Sequence, residues 1–367
     1  MRFHWKILVL FSLAVLALTG LTLRASAEGE QEGVRLGGFA HLNSSDMEAA
    51  AWVAGDLGLG WVAVELDWAE FMPAADQPPD WSALDRAAAA ARQGHFDLLL
   101  SLTHAPNWAR TEKGPDAQAV RALVEALIQR YPAEIRAYEI FPGANTAAGW
   151  GAAPNPQAYV ELLAALKPVL QSLDPAPILV AGGLVPVAAS DQDQNLSDLT
   201  FLSAMYDTGL GRQFPVISLR YPHLQGRPDD LPQDEEPFQL RHYEDVRRIM
   251  IQYEHKSGRL WITRISPPSG RIETSEGAGE GQNAQAAWLR EAIVLAHAQV
   301  YMDVIIFHSL TADPNAPQEL ALLSSAHEYH PFYQDLRSWV ALNAPEAAAA
   351  RHGRVKKGVI EKQPRDP

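Results

Sequence analysis

Short apolar runs alternate with amphipathic stretches along this chain, from residue 34 to residue 343. Each run is rich in leucine or β-branched residues and is bounded by Gly, Pro or Asp, which is typical of a buried β-strand. The predicted strands span residues 34–40, 61–66, 96–102, 135–141, 178–181, 216–219, 260–263 and 304–307. The stretches between them, such as 158–173 and 243–253, place apolar residues on one helical face. Eight strands that alternate with helices predict an α/β protein built as a single closed (β/α)8 TIM barrel.

A doubly wound open sheet is the alternative architecture, and it is disfavoured because no Gly-rich phosphate turn follows any predicted strand. The 367 residues would suffice for two domains, but closed α/β barrels often reach this length as one unit. We therefore expect one barrel over residues 34–343. The longest connections, 186–195, 223–240 and 266–283, all follow strands, so they should build the ligand face of that barrel.

The two ends of the chain differ from the barrel in composition. Residues 1–27 combine basic residues, an apolar run and a terminal Ala-Ser-Ala, which predicts a secretory signal peptide. Because the apolar run is close to the minimum length of a membrane span, an uncleaved anchor is the alternative. Residues 344–367 include a loose basic stretch and are predicted to form a flexible tail. We expect a protein that is secreted or otherwise extracytoplasmic at the cell surface, with membrane attachment only through such an anchor.

Charge and cysteine content restrict the possible partners. The net charge is -14, from 44 acidic and 30 basic residues, and no basic face or aromatic-plus-basic module indicates nucleic-acid binding. The chain has no cysteine, so it contains neither disulfides nor a cysteine nucleophile. An acidic surface repels anionic polymers, whereas neutral glycans are compatible with it.

The segment around the fourth strand, residues 138–145, reads Tyr-Glu-Ile-Phe-Pro-Gly-Ala-Asn. Four other segments are similar to the strand ends of one enzyme group and occur in the same order along the chain: 61–68, 100–109, 221–223 and 259–263. Together they resemble the clan-A retaining glycoside hydrolases, the TIM barrels of the β-xylosidase and cellulase type. The resemblance covers essentially the whole predicted barrel.

The resemblance implies one catalytic glutamate after strand four and another after Thr263, but neither is present. Gly143 occupies the acid/base position and Arg264 the nucleophile position, while Pro142 replaces an asparagine that helps to hold the sugar. Retaining hydrolysis requires two carboxyl groups about 5–5.5 Å apart. Glycine cannot donate a proton, and arginine stays cationic and is not a nucleophile. We therefore expect a non-catalytic, glycosidase-like barrel.

Three other carboxylates could act instead, which leaves an active glycosidase as the alternative. Glu65 and Asp67 share one face of strand two, and Glu139 is predicted to point into the barrel one layer deeper. Each also has a structural explanation, and an ion pair between Glu139 and Arg264 is one hypothesis for how both charges are neutralised. A second alternative is an extracytoplasmic scaffold whose cleft is filled.

Aromatic and polar residues near the predicted strand ends are the candidates for glycan binding, because Trp and Tyr rings can stack on sugars and also pack under loops. The candidates are Trp68, His104, Trp108, Asn145, Trp150, Tyr221, His223 and His308. Four histidines, including His41, fall at strand ends, but no H-x-x-H spacing is present, so we expect no metal. We also expect no cofactor, and the predicted partner is a glycan or a cell-surface protein.

Overall fold

The computed structural model of this protein describes residues 34–42, 47–188, 191, 194–209, 211–312 and 320–343. The predicted signal peptide at 1–27 and the predicted tail at 344–367 lie outside the described residues. The described part of the chain contains no helix that is both long and apolar enough to cross a membrane.

Eight parallel strands form a closed barrel, which confirms the predicted fold. The strands are β1 Arg35–Phe39, β2 Trp61–Asp67, β3 Asp97–Thr103, β4 Ile135–Ile140, β5 Ile178–Leu184, β6 Val216–Tyr221, β7 Arg259–Ile265 and β8 Met302–Phe307. Each strand pairs with its neighbours in chain order, and β1 closes the barrel against β8. Every predicted strand is present, and the observed ends differ from the predicted ones by three residues at most.

One main helix follows each strand along the chain. These helices are α1 Met47–Leu57, α2 Ser82–Gly94, α3 Ala117–Arg130, α4 Pro156–Leu170, α5 Asp198–Asp207, α6 Tyr243–Gln252, α7 Gly281–His297 and α8 Phe332–Asn343. Their apolar faces pack on the outside of the barrel, as the helical spacing predicts. The first residues of these helices therefore lie at the end of the barrel where the strands finish.

The loops at that end carry small elements of their own. Short helices at Trp68–Phe71 and Ala147–Trp150 follow β2 and β4. A hairpin of Arg271–Thr274 and Gly277–Glu280 occupies the long connection after β7. These elements decide which loop side chains turn inward and which remain exposed.

The barrel interior changes from apolar to polar along the strands. Its lower part is filled by a compact apolar cluster that includes Trp61, Leu99, Val180, Trp261 and Ile306. Side chains alternate between the two faces of a strand, so the inward positions further along β2, β3, β4 and β6 are polar. That polar layer lies directly below the open end of the barrel, and it forms the floor of the candidate site.

Candidate functional site

The polar layer is centred on Glu139 of β4, whose side chain is fully buried. Three hydroxyl groups donate hydrogen bonds to its carboxylate: Ser101 at 2.8 Å, Ser218 at 2.7 Å and Thr263 at 2.6 Å. The Arg220 guanidinium adds two more, from Nη2 at 2.7 Å and from Nε at 3.1 Å. A buried carboxylate is tolerated only when its charge is compensated in this way.

Arg220 also binds a second carboxylate, that of Glu65 on β2. Its Nη1 donates to Glu65 Oε1, so one guanidinium bridges the two glutamates. Burial by itself raises the pKa of Glu65, but the charge of Arg220 and its hydrogen bond outweigh burial and hold that pKa below its ordinary value. Glu65 is therefore an ionised group at neutral pH.

Strand register explains why these groups meet. Glu65 pairs with Ser101 across β2 and β3, and Ser101 pairs with Glu139 across β3 and β4. All three side chains thus lie in one layer. Arg220, with Ser218 two residues before it, extends along the inward face of β6 to reach that layer.

The sequence predicted that Glu139 points inward and that Glu65 shares a strand face with Asp67; the structure brings both glutamates to the same arginine. That arginine is Arg220, whereas the sequence hypothesis assigned the partner of Glu139 to Arg264. Sequence reasoning missed Arg220 because β6 was predicted to end at residue 219. The alternation of Val216, Ser218 and Arg220 is the signal that could have found it.

Gly143 lies in a turn whose backbone favours glycine. Its φ is +78°, in the left-handed region that side chains of L-residues rarely adopt. The Gly143 amide donates to the Gly183 carbonyl at 2.7 Å, and the Gly143 carbonyl accepts from the Thr146 hydroxyl at 2.8 Å. Both hydrogen bonds fix the turn after β4.

Arg264 lies where the register of β7 is irregular. Leu219 pairs with Ile262 and Arg220 pairs with Arg264, so Thr263 is the additional residue of a bulge. Arg264 is partly buried, and its charge contributes to lowering the pKa of both Glu65 and His308. The guanidinium therefore adds positive charge next to the Glu65 carboxylate.

His308, just after β8, is a buried and neutral histidine. Burial, together with the charges of Arg264, His41 and Arg220, lowers its pKa to about 2. Its ring lies 4.6 Å from the Phe39 ring and 5.6 Å from the His41 ring, measured between centroids. This side of the site holds uncharged imidazole at neutral pH.

Asp67, His104 and Trp108 form the exposed rim. Asp67 Oδ2 lies 2.7 Å from His104 Nδ1, and Asp67 Oδ1 accepts from the Glu70 amide at 3.1 Å, capping the short helix after β2. The His104 side chain is 56% exposed and Trp108 is 37% exposed. The Trp108 indole donates to the Met72 carbonyl at 3.0 Å, which fixes the orientation of the ring.

The remaining predicted site residues have different surroundings. Trp68, Trp150 and Tyr221 are at most 2% exposed, and the Trp150 indole donates to the Lys113 carbonyl at 2.8 Å. Asn145 is also buried, and its amide bonds the backbone of Val185 and Leu196. His223 is exposed beyond β6. In the described residues, no group of three or more His, Asp or Glu side chains could hold a metal ion.

Solved structures with the same barrel include a family 39 glycoside hydrolase from the gut symbiont Bacteroides cellulosilyticus WH2. Its TM-score is 0.60 at 16% identity, and the match covers 84% of this chain but only 64% of that one. The match shows that this chain shares the fold of that enzyme's barrel. A GH10 endoxylanase from a sugarcane soil metagenome has a TM-score of 0.57 at 12% identity, covering 84% of this chain and 98% of that one.

The family 1 β-glucosidase from Thermotoga maritima has the same barrel fold, with a TM-score of 0.59 at 10% identity. That match covers 85% of this chain and 98% of the β-glucosidase. No protein-family model matches the sequence, and no curated protein does. At these identities the likeness establishes the fold.

Proposed function

We propose that this protein is a non-catalytic clan-A-like barrel that binds a glycan at the open end formed by its βα loops. The observation that carries the proposal is the bridge from Arg220 to both interior glutamates. It engages the carboxylates of both glutamates in ion pairs with one arginine.

The two interior glutamates are disfavoured for different catalytic roles, Glu65 as a general acid and Glu139 as a nucleophile. A general acid must be protonated at working pH, whereas Arg220 keeps the pKa of Glu65 low and the group ionised. A nucleophile must reach the anomeric carbon, whereas the Glu139 carboxylate is fully buried beneath Arg220 and three hydroxyl groups. The glycine-favouring turn at Gly143 and the cation at Arg264 support the same conclusion.

The rim supplies the features that carbohydrate recognition requires. Trp108 offers a fixed and partly exposed ring to the apolar face of a sugar, while Asp67, His104 and His223 offer polar groups to its hydroxyls. These groups require no charge on the ligand, in keeping with an acidic chain that repels anionic polymers. We propose a neutral glycan as the ligand.

Binding of soluble neutral polysaccharides, with Trp108→Ala compared to the unchanged protein, tests this proposal. Xylan, mixed-linkage β-glucan and galactomannan are suitable probes in affinity electrophoresis. We expect Trp108→Ala to weaken binding about threefold to tenfold, because one stacked ring is worth about 0.5–1.5 kcal/mol. Val300→Ala, which truncates a side chain that is 61% exposed, is the matched control and should have no effect. Unchanged binding in Trp108→Ala would favour a scaffold with a filled cleft.

We further propose that the protein is exported, because residues 1–27 have the pattern of a signal peptide. Expression of the full chain followed by N-terminal sequencing of the extracytoplasmic product should give a start close to residue 28. A product that retains Met1 in the membrane fraction would show an uncleaved anchor, and a cytoplasmic product would contradict export.

A further inference from the structure

Two exposed aromatic rings lie side by side, one on α1 and one in the loop that leads into α8. Trp52 on α1 is 52% exposed, and Tyr329, three residues before α8, is 48% exposed. Their centroids are 6.2 Å apart and their planes differ by 35°. Large exposed aromatic side chains are uncommon on a folded surface, and within the described residues they number three, with Trp108 as the third.

The two rings are held in a fixed arrangement. The Tyr329 ring contacts the Tyr333 ring, with centroids 4.5 Å apart, and Tyr333 is buried in α8. The Tyr333 hydroxyl donates to Asp56 Oδ2 at 2.7 Å, which ties α8 to the same helix that carries Trp52. A ligand therefore meets a preformed surface and does not have to order it.

Polar groups border the rings. Asp56 lies one helical turn after Trp52, and Arg337 approaches Asp56 with a separation of 3.7 Å. Space is open above Gly55 as well, since a Cβ added there would meet no atom within 4 Å. The surface thus combines two rings, hydrogen-bonding groups of both charges and an unobstructed approach.

The size of this surface indicates whether it binds a protein or a smaller ligand. A stable protein interface needs about 800 Å² from each partner, whereas two half-exposed rings offer on the order of 100 Å² each. That area matches one or two sugar rings, whose C–H faces pack on aromatic rings while their hydroxyls bond to polar neighbours. We infer that Trp52 and Tyr329 form a second glycan-binding surface, built from other residues than the rim of Asp67, His104 and Trp108 and specific for neutral polysaccharide chains.

Affinity electrophoresis in gels that contain xylan, mixed-linkage β-glucan or galactomannan tests this inference. The variants are Trp52→Ala, Tyr329→Ala and their combination, with Trp52→Phe and Tyr329→Phe as variants that keep a ring. Both positions are exposed, and alanine favours the helix at residue 52, so folding should persist and circular dichroism can verify it. Val294→Ala on α7 is the control, because Val294 is 61% exposed and remote in sequence from both rings.

We expect each alanine variant to weaken retardation about threefold to tenfold on at least one polysaccharide, and the phenylalanine variants to stay within about threefold of the original protein. Adding Trp108→Ala to the double alanine variant should weaken retardation further, because the two surfaces bind the polysaccharide independently. The inference is overturned if no polysaccharide retards the protein, or if the double alanine variant is retarded like the original.

The same gels separate this inference from the proposed function of the rim. If only Trp108→Ala weakens retardation, the second surface is overturned and the rim proposal stands. If only the Trp52 and Tyr329 variants weaken it, the rim proposal is overturned and the second surface stands. Sedimentation velocity adds a further readout. A double alanine variant with a changed oligomeric state and unchanged retardation would show a contact between copies of this chain and overturn the inference.

Discussion

Arg220 determines what the interior of this barrel can do. It occupies the space between Glu65 and Glu139, and its guanidinium satisfies both carboxylates together with the Ser101 hydroxyl. Two buried negative charges without it would be strongly unfavourable. The residue therefore stabilises the polar layer and holds both carboxylates in ion pairs, which supports the proposal of a non-catalytic barrel.

Replacement of Arg220 by methionine should lower the free energy of unfolding by about 3–5 kcal/mol, because it leaves the buried Glu139 charge uncompensated. Urea unfolding followed by tryptophan fluorescence measures the loss. Arg121→Met removes an exposed i,i+4 pair with Glu125 and should change stability by less than about 1 kcal/mol. Adding Glu139→Gln to Arg220→Met should restore part of the stability; a double variant no more stable than the single one would contradict this explanation.

Gly143→Ala should destabilise the protein by about 1–2 kcal/mol, because a side chain at a φ of +78° is strained. Gly55→Ala is the matched control. Gly55 is a helical residue of α1 with open space around it, so its replacement should stabilise by about 0.5–1 kcal/mol. Thermal unfolding of both variants compares them. A neutral Gly143→Ala would mean that this turn could accept a side chain, including the glutamate that the resemblance implies.

Helices α5 and α6 are joined at their first turns by a buried ion pair. His242, directly before α6, lies with Nε2 2.6 Å from Asp198 Oδ2 at the start of α5, and both side chains are at most 2% exposed. Burial by itself lowers the pKa of His242, but the charges of Asp198 and Asp245 outweigh it and raise the pKa to about 9. This pair ends the long loop after β6, so it helps to position the loop that carries His223.

The pair predicts a loss of stability at alkaline pH. Because the folded pKa of His242, about 9, exceeds its ordinary value of 6.5, its contribution is complete below about pH 6.5 and is lost as the pH rises through about 9. The difference corresponds to on the order of 3 kcal/mol. Asp198→Asn should therefore lower the unfolding midpoint at pH 6 far more than at pH 10. Equal effects at both pH values would contradict the assignment, and Asp229→Asn, at an exposed pair, is the control.

The strands and helices could be predicted because hydrophobic periodicity reports directly on burial. Strand parity also placed Glu139 on the inner face and put Glu65 on the same face as Asp67, since alternation along a strand is strict. The orientation of side chains in the loops was harder to predict from the sequence. The sequence located Trp68 and Trp150 beyond strand ends, but the short helices at Trp68–Phe71 and Ala147–Trp150 turn both rings into the protein. No local pattern shows which side of a short loop helix faces inward.

Alternation along β6 could have indicated Arg220, but the sequence could not show whether Arg220 or Arg264 is the partner of Glu139. Arg220 and Arg264 follow neighbouring strands, and the bulge at Thr263 decides how their positions correspond. A one-residue change of register moves a side chain to the other face of a strand, and the sequence of β7 carries no signal for that bulge. Trp52 and Tyr329, 277 residues apart, meet only because α1 and α8 close the ring of helices.

Taken as one molecule, the protein has a barrel fold shared with solved glycoside hydrolases, and an internally paired arginine lies in the centre of its open end. Within the described residues, the exposed aromatic rings are Trp108 on the rim and the adjacent pair of Trp52 and Tyr329. These rings support the proposal that the protein holds a polysaccharide without cutting it.

Turnover of 2,4-dinitrophenyl β-glycosides tests that claim most directly. Dinitrophenolate leaves without a proton donor, so even a barrel that lacked only its general acid would release it, provided that a nucleophile remained. We predict release at the uncatalysed rate for the xyloside, glucoside, galactoside and mannoside, unchanged in Glu65→Gln. Release well above that rate, abolished in Glu65→Gln, would show a working carboxylate and contradict the non-catalytic account.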